Sequence, residues 1–254
     1  MLDYIDNGEL GGWLYEPATL HEKNRLLVCV HGISRNAREQ MEAFRPLADA
    51  QGIRLLAPDF CLTRFPGYQR LSRQTGHERA DLALNRLLLQ IQKHFMLPQL
   101  DLFGYSGGAQ FCHRYALCYP QHIRSMILAA AGWYTFPDPN TRYPRGLSNW
   151  PQTLPRPAEI HALLAIPTLV MVGSRDTSID SSLRSSQKLD RQQGRTRLER
   201  ASNWFHYCCS LGKAHDWHFV ELAGVGHSFS ESMTHTNMLE LSNHFLELNR
   251  RAAS

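Results

Sequence analysis

Residues 100–119 read LDLFGYSGGAQFCHRYALCY, an apolar run that passes through a glycine-rich turn into a stretch whose apolar residues recur about three and four apart. The first part predicts a buried strand and the last an amphipathic helix. Between them, Gly104-Tyr105-Ser106-Gly107-Gly108 fits the spacing G-x-S-x-G. A chain turning sharply from strand to helix holds the serine in strained backbone geometry, and small flanking residues prevent collisions at the turn. The helix start then lies beneath the hydroxyl, where unpaired N–H groups favour developing negative charge. Such a turn also suits a phosphate. This one lacks the Lys-Ser/Thr ending of a phosphate-binding loop and the spacing of a dinucleotide fingerprint. Ser106 is therefore read as a nucleophile.

Working outward, further apolar runs lie at 26–31, 54–58, 125–131, 167–172 and 217–222. Continuous runs of this length suit strands covered on both faces, as in a parallel sheet. Helical periodicity occupies 37–51, 77–95, 107–119 and 231–250, with Asn36 and Glu39 spaced to form a capping box at the start of the first. The β, α, β, α alternation predicts an α/β fold, a doubly wound and mostly parallel sheet. Residues 11–16 are placed as an antiparallel edge strand. One domain, 1–254, accounts for the chain, with two interruptions. Six prolines between 134 and 157 predict a folded loop or short cap or lid. Residues 180–216 predict a helical insertion that buries Leu183, Leu189, Leu198, Trp204 and Leu211.

A serine hydroxyl at neutral pH is a poor nucleophile, so it needs a histidine within hydrogen-bond reach and a carboxylate to hold the histidine's tautomer. Asp176 follows the run 168–172 in Gly173-Ser174-Arg175-Asp176, and His227 follows the run 217–222 in Gly224-Val225-Gly226-His227. Loops at the carboxyl ends of strands in an open α/β sheet share one crevice, so the three side chains can meet. Asp138 and then Asp180 are the substitute acids. Of the thirteen histidines, His31 lies at an early strand end where backbone geometry is the usual role, and His77, His113, His215 and His218 lack a glycine turn. The backbone N–H groups of Gly107 and Ile33 are the candidate oxyanion donors, with an ordinary strand-to-helix turn as the alternative at Ile33. Tyr105, Trp133, Tyr134 and Phe136 are candidate pocket walls, although buried aromatics are more often core. Arg35, Arg38 and Arg175 are placed near the mouth, where they would favour an anionic substrate if they are not simply surface residues.

The bulk numbers fit an ordinary globular chain: 254 residues, 43% hydrophobic, 20% charged, net charge +4. The excess charge is spread out, with no basic stripe and interleaved aromatics, so a nucleic-acid partner is not expected. No signal-peptide order or bilayer-length apolar run is present, so a cytoplasmic location and no membrane partner are expected. The six cysteines are scattered without metal-site spacing and are read as reduced and structural.

His-Gly-Ile at 31–33, Gly-Tyr-Ser-Gly-Gly at 104–108, Gly-Ser-Arg-Asp at 173–176 and Gly-Val-Gly-His at 224–227 together resemble the α/β-hydrolase superfamily, over about 26–229. Within it the chain is similar to small bacterial esterases and to the polyhydroxybutyrate depolymerase and feruloyl esterase-like group. The stretch between Asp176 and His227 is longer than in a minimal member. The resemblance implies an enzyme with no metal and no cofactor, acting through Ser106, Asp176 and His227. The expected activity is cleavage of a small-molecule carboxylic ester through an acyl-enzyme. The alternatives are an acyltransferase, thioesterase or perhydrolase using the same residues, or a non-catalytic binding protein retaining the fold.

Overall fold

The strand β3 (Leu26–Val30) is buried along its whole length, and its side chains divide between two cores. Leu26, Val28 and Val30 join one cluster, while Leu27 and Cys29 join the other. That division is the period-two alternation of a strand with helices on both faces. The computed structural model describes residues 1–71, 78–96, 99–157, 159–212 and 214–251, Arg251 by its backbone alone. The other strands are β1 (Leu2–Asp6), β2 (Gly11–Tyr15), β4 (Arg54–Asp59), β5 (Leu100–Tyr105), β6 (Ile123–Ala129), β7 (Thr168–Gly173) and β8 (Trp217–Leu222). They form one sheet in the order β1-β2-β4-β3-β5-β6-β7-β8. Only the β1–β2 and β2–β4 pairs are antiparallel.

The helices are α1 (Ala37–Gln51), α2 (Ala80–Gln92), α3 (Gly107–Cys118), α4 (Ile160–Leu164), α5 (Gln187–Gln193), α6 (Arg197–Ser210), α7 (Phe229–His235) and α8 (Met238–Arg251). Met41 and Phe44 of α1 and Phe245 and Leu246 of α8 fill the core on one face; Leu84 and Leu87 of α2, Phe111 and Tyr115 of α3 and Trp204 of α6 fill the other. A buried polar group runs through the sheet. Arg25 Nε donates to Asp101 Oδ2 at 2.5 Å, and Ser125 Oγ donates to Asp101 Oδ1 at 2.6 Å. Among the described residues, no helix is long and apolar enough to cross a membrane.

The expected doubly wound sheet is present, with four local corrections. Residues 11–16 do not form the edge: β2 lies between β1 and β4, because the amino-terminal residues add a further strand outside it. The run at 217–222 does form an edge, and His218 and Glu221 are exposed there rather than covered on both faces. Asn36 makes no capping bond to the start of α1; its side-chain amide donates to the Glu39 carboxylate, which removes both capping groups at once. The predicted helix at 231–250 is two helices, α7 and α8. In the second insertion, Leu183, Leu189 and Trp204 are buried, whereas Leu211 is exposed on the last turn leading out of α6. His77 lies outside the described residues.

Candidate active site

Ser106 joins β5 to α3 with φ 52° and ψ −111°, a backbone conformation that a residue with a Cβ rarely adopts. The neighbouring glycines make the turn possible. A Cβ on Gly108 would stand 1.9 Å from the Val30 carbonyl oxygen, and one on Gly104 would stand 2.5 Å from the backbone of Gly108. The strained serine is thus held by the packing of α3 against β3 and its own strand, and its hydroxyl is presented at the carboxyl edge of the sheet.

The loops after β7 and β8 reach the same edge and are stitched together. Ser174 N donates to Leu222 O at 2.9 Å, Arg175 N to Val225 O at 2.9 Å, and Gly224 N to Ser174 Oγ at 2.9 Å. These bonds fix Asp176 on one loop relative to His227 on the other. His227 Nδ1 lies 2.8 Å from Asp176 Oδ2, and His227 Nε2 lies 3.0 Å from Ser106 Oγ. An ionised carboxylate only accepts hydrogen bonds, so Nδ1 carries the imidazole proton and Nε2 is left to accept from the serine hydroxyl. Tyr105 stacks against the imidazole with ring centroids 5.5 Å apart and an interplanar angle of 28°. Asp176 is 1% exposed, and its second oxygen faces Arg197 Nη1 at 3.4 Å.

The substitute acids are engaged elsewhere. Asp138 Oδ1 accepts from Asn140 N at 2.9 Å and Oδ2 from Thr141 Oγ1 at 2.5 Å, so its carboxylate closes a turn in the proline-rich segment. Asp180 pairs with Arg197 and Ser182, and these bonds hold its carboxyl well below the usual carboxylate range.

His31 serves the loop that carries Ile33. Its Nδ1 lies 2.8 Å from Gly32 O, its Nε2 accepts from Phe60 N at 3.1 Å, and its carbonyl accepts from Tyr68 OH at 2.7 Å. Burial lowers its pKa to about 4, so the ring is neutral and its two nitrogens keep distinct donor and acceptor roles. The Ile33 backbone nitrogen stands 3.4 Å from where a Cβ on Gly107 would be. Neither Ile33 N nor Gly107 N donates to a protein acceptor among the described residues. Two backbone N–H groups without a protein acceptor thus lie close together next to Ser106. His113 is a core residue whose Nδ1 lies 2.8 Å from Ala109 O and whose Nε2 accepts from Thr135 N at 2.9 Å; His215 and His218 are exposed.

Two cavities meet at Ser106. One, of about 360 Å³, is bounded by His227, Ser228, Phe229, Tyr105, Asn36 and Glu39. The other, of about 130 Å³, is bounded by Trp133, Gln69, Gln110, Arg70, Arg184 and Arg197. Tyr105 and Trp133 therefore line the space beside the serine, as the sequence suggested. Tyr134 and Phe136 do not. Tyr134 is fully buried and stacks on Trp204 at 4.6 Å, and Phe136 packs against Tyr207 at 5.0 Å, because the chain after Trp133 turns down into the core under α6. No residue of 134–157 borders either cavity, whereas Ser182, Arg184 and Arg197 of the second insertion do.

The expected mouth arginines are also displaced. Arg35 reaches the Phe60 carbonyl and lies over Tyr68, Arg38 lies over Trp13, and Arg175 borders neither cavity. The arginines that do border the small cavity, Arg70, Arg184 and Arg197, come from a short 3-10 helix (Tyr68–Arg70) and an insertion whose sequences carry no motif. Among the described residues, no group of three or more His, Cys, Asp or Glu side chains could hold a metal ion.

The sequence model described as alpha/beta hydrolase fold matches residues 25–159. No curated protein sequence matches the chain. Among solved structures, a poly(aspartic acid) hydrolase from a Sphingomonas species superposes with a TM-score of 0.78 at 23% identity, over 96% of this chain and 97% of that one. A poly(3-hydroxybutyrate) depolymerase from Bordetella parapertussis gives 0.77 at 23% identity, over 97% and 89%. An S-formylglutathione hydrolase from Agrobacterium tumefaciens gives 0.61 at 16% identity, over 97% and 94%. At these identities the likeness is one of fold.

Proposed function

Because the chain belongs to the α/β-hydrolase fold family, we propose that it is a serine hydrolase that cleaves carboxylic esters through an acyl-enzyme, with Ser106 as nucleophile, His227 as general base and acid, and Asp176 as the orienting carboxylate. The observation that carries this reading is the unbroken hydrogen-bonded series from Asp176 through His227 to Ser106.

In the first half-reaction, Ser106 Oγ attacks the ester carbonyl carbon as His227 Nε2 takes the hydroxyl proton. The carbonyl oxygen becomes negative and accepts from the N–H groups of Ile33 and Gly107. Asp176 stabilises the imidazolium that forms. The tetrahedral intermediate then collapses, the alkoxide leaves with the proton from Nε2, and an acyl-serine remains. In the second half, water gives a proton to Nε2 and attacks the acyl carbon, and the proton returns to Ser106 as the carboxylic acid departs. Each donor to the oxyanion contributes about 3 to 4 kcal/mol of barrier lowering in sites of this type.

Purified protein treated with a fluorophosphonate should be labelled at Ser106, should turn over a short p-nitrophenyl ester, and should lose both properties in Ser106→Ala. Absence of label at Ser106 in the intact protein would overturn the reading.

A further inference from the structure

The small cavity beside Ser106 carries positive charge, from Arg70 and Arg184, that no carboxylate among the described residues pairs with. Arg184 places its guanidinium carbon 5.5 Å from the centroid of the Trp133 ring, and Arg114 places its own 4.2 Å from the same ring. Arg70 borders the cavity with Arg184. None of these three arginines forms an ion pair with a carboxylate among the described residues, in contrast to Arg197, which pairs with Asp176 and Asp180. The side chains of Arg70 and Arg184 also have no hydrogen-bond acceptor among the described residues, and Arg114 Nη2 is buried without one. Burial and the charge of Arg184 lower the pKa of Arg70. Burial pushes Arg114 down to about 10, and the charges of Arg70 and Arg184 act in the same direction. Burial is the larger cause in both and the neighbouring guanidinium charges add to it, an arrangement that suits the binding of a counter-charge.

The two cavities have different roles in an acyl transfer. His227 Nε2 must hand its proton to the departing oxygen, so the leaving group lies on the side bounded by His227. The acyl part then occupies the other cavity. Glu39 borders the leaving-group side, where it repels an anion, and the arginines border the acyl side. The volume of about 130 Å³ on that side admits a short chain only.

We propose that the cavity bounded by Arg70, Arg184 and Trp133 is a carboxylate-binding subsite for the acyl part, so that the substrate is a monoester of a short dicarboxylic acid. This rests on the serine hydrolase reading above and extends it to the substrate. The free carboxylate accepts from the guanidinium groups, and the methylenes lie on the indole. Ser106 attacks the ester carbonyl at the other end, the alcohol leaves with the proton from His227, and water releases the dicarboxylate.

The test compares kcat/KM for monoethyl glutarate with that for diethyl glutarate, and for 3-acetoxypropanoate with its ethyl ester. The acyl-side carboxylate should be preferred by about 10- to 100-fold, the range of one charge-assisted hydrogen bond. That ratio should fall toward one in Arg184→Gln, an exposed position that leaves the fold intact, and in Arg70→Gln. No preference, a preference for the carboxylate on the leaving side, or a ratio unmoved by both substitutions would overturn the proposal. Calorimetric binding of glutarate to Ser106→Ala separates this outcome from failure of the hydrolase reading. Binding weakened about 10-fold or more by Arg184→Gln supports the subsite even in a protein that takes no label at Ser106. Binding equal with and without Arg184 overturns the subsite even in an active esterase.

Discussion

Arg197 Nη1 sits 3.4 Å from Asp176 Oδ1, the carboxylate oxygen that His227 does not use. The same guanidinium donates to Asp180 Oδ2 at 3.1 Å and to Ser182 Oγ at 2.6 Å, so one buried cation ties the acid of the site to the insertion that follows it. Arg197 is the first residue of α6, and Thr196 with Glu199 forms a full capping box there, which fixes where the side chain starts. Arg197→Met should lower unfolding free energy by about 3 kcal/mol, because a carboxylate that is almost fully buried loses a charged partner. Urea denaturation at neutral pH measures this. In turnover, kcat should fall, since the substitution frees the orientation of Asp176, and KM should rise with it because Arg197 also borders the small cavity on the acyl side. A variant as stable as the parent would show the pair to be incidental.

Asp176→Asn should reduce kcat by about 10³- to 10⁴-fold with little change in fold. An amide at this position can donate to Nδ1, which moves the imidazole proton to Nε2 and removes the acceptor that Ser106 needs. Asp138→Asn is the matched control, because that carboxylate serves a turn in the proline-rich segment and is not bonded to His227. Steady-state kinetics of the two variants decide between the acids; a larger loss in the Asp138 variant would reverse the assignment.

Ser106→Gly should abolish turnover and raise stability by about 1 kcal/mol, since glycine adopts φ 52° without the strain that a Cβ brings there. Gly108→Ala should do the opposite to stability. Its Cβ would overlap the backbone carbonyl of Val30, and neither α3 nor β3 can move without opening the core, so a loss of about 3 kcal/mol or more is expected. Thermal melts of the two variants test both signs.

The fold was legible because the parallel strands are short apolar runs, five of them inside the sheet and the sixth, β8, at its edge. Each of the six is found within two residues of its expected bounds. The three side chains of the site were legible because glycine turns at strand ends mark Ser106 and His227, and Asp176 ends the same kind of run. What sequence could not supply was side-chain direction after a strand ends. Trp133 and Tyr134 are adjacent, yet one borders the cavity and the other stacks on Trp204 in the core. Arg70 and Arg184 lie 114 positions apart with no pattern joining them, so only the folded chain brings them to one cavity. The cap at Asn36 failed for a local reason: the two side chains meant to satisfy backbone groups satisfy each other.

The protein should lose stability as pH falls from about 6.5 toward 4, and His31 and His113 should carry much of that loss. Burial lowers the pKa of His31 to about 4 and that of His113 well below its ordinary value, with Arg35 and Arg114 respectively acting in the same direction. In the unfolded chain both titrate near 6.5. Between the two values the unfolded state binds protons that the folded state refuses, so stability is complete above about pH 6.5, declines through the interval, and levels off for His31 below about 4. A difference of this size for His31 corresponds to about 3 kcal/mol. Asp180 contributes in a separate range. Its carboxyl is held below the ordinary aspartate value, so the stability it adds is lost only as pH falls below about 4. Urea midpoints measured between pH 7 and 5 therefore isolate the imidazoles. His31→Asn should be less stable than the parent at pH 7, because Phe60 N and Gly32 O lose their ring partner, and its stability should decline less steeply over that range. Parallel curves for the variant and the parent would mean that the His31 ring is protonated in the folded protein, contrary to its burial between two backbone partners.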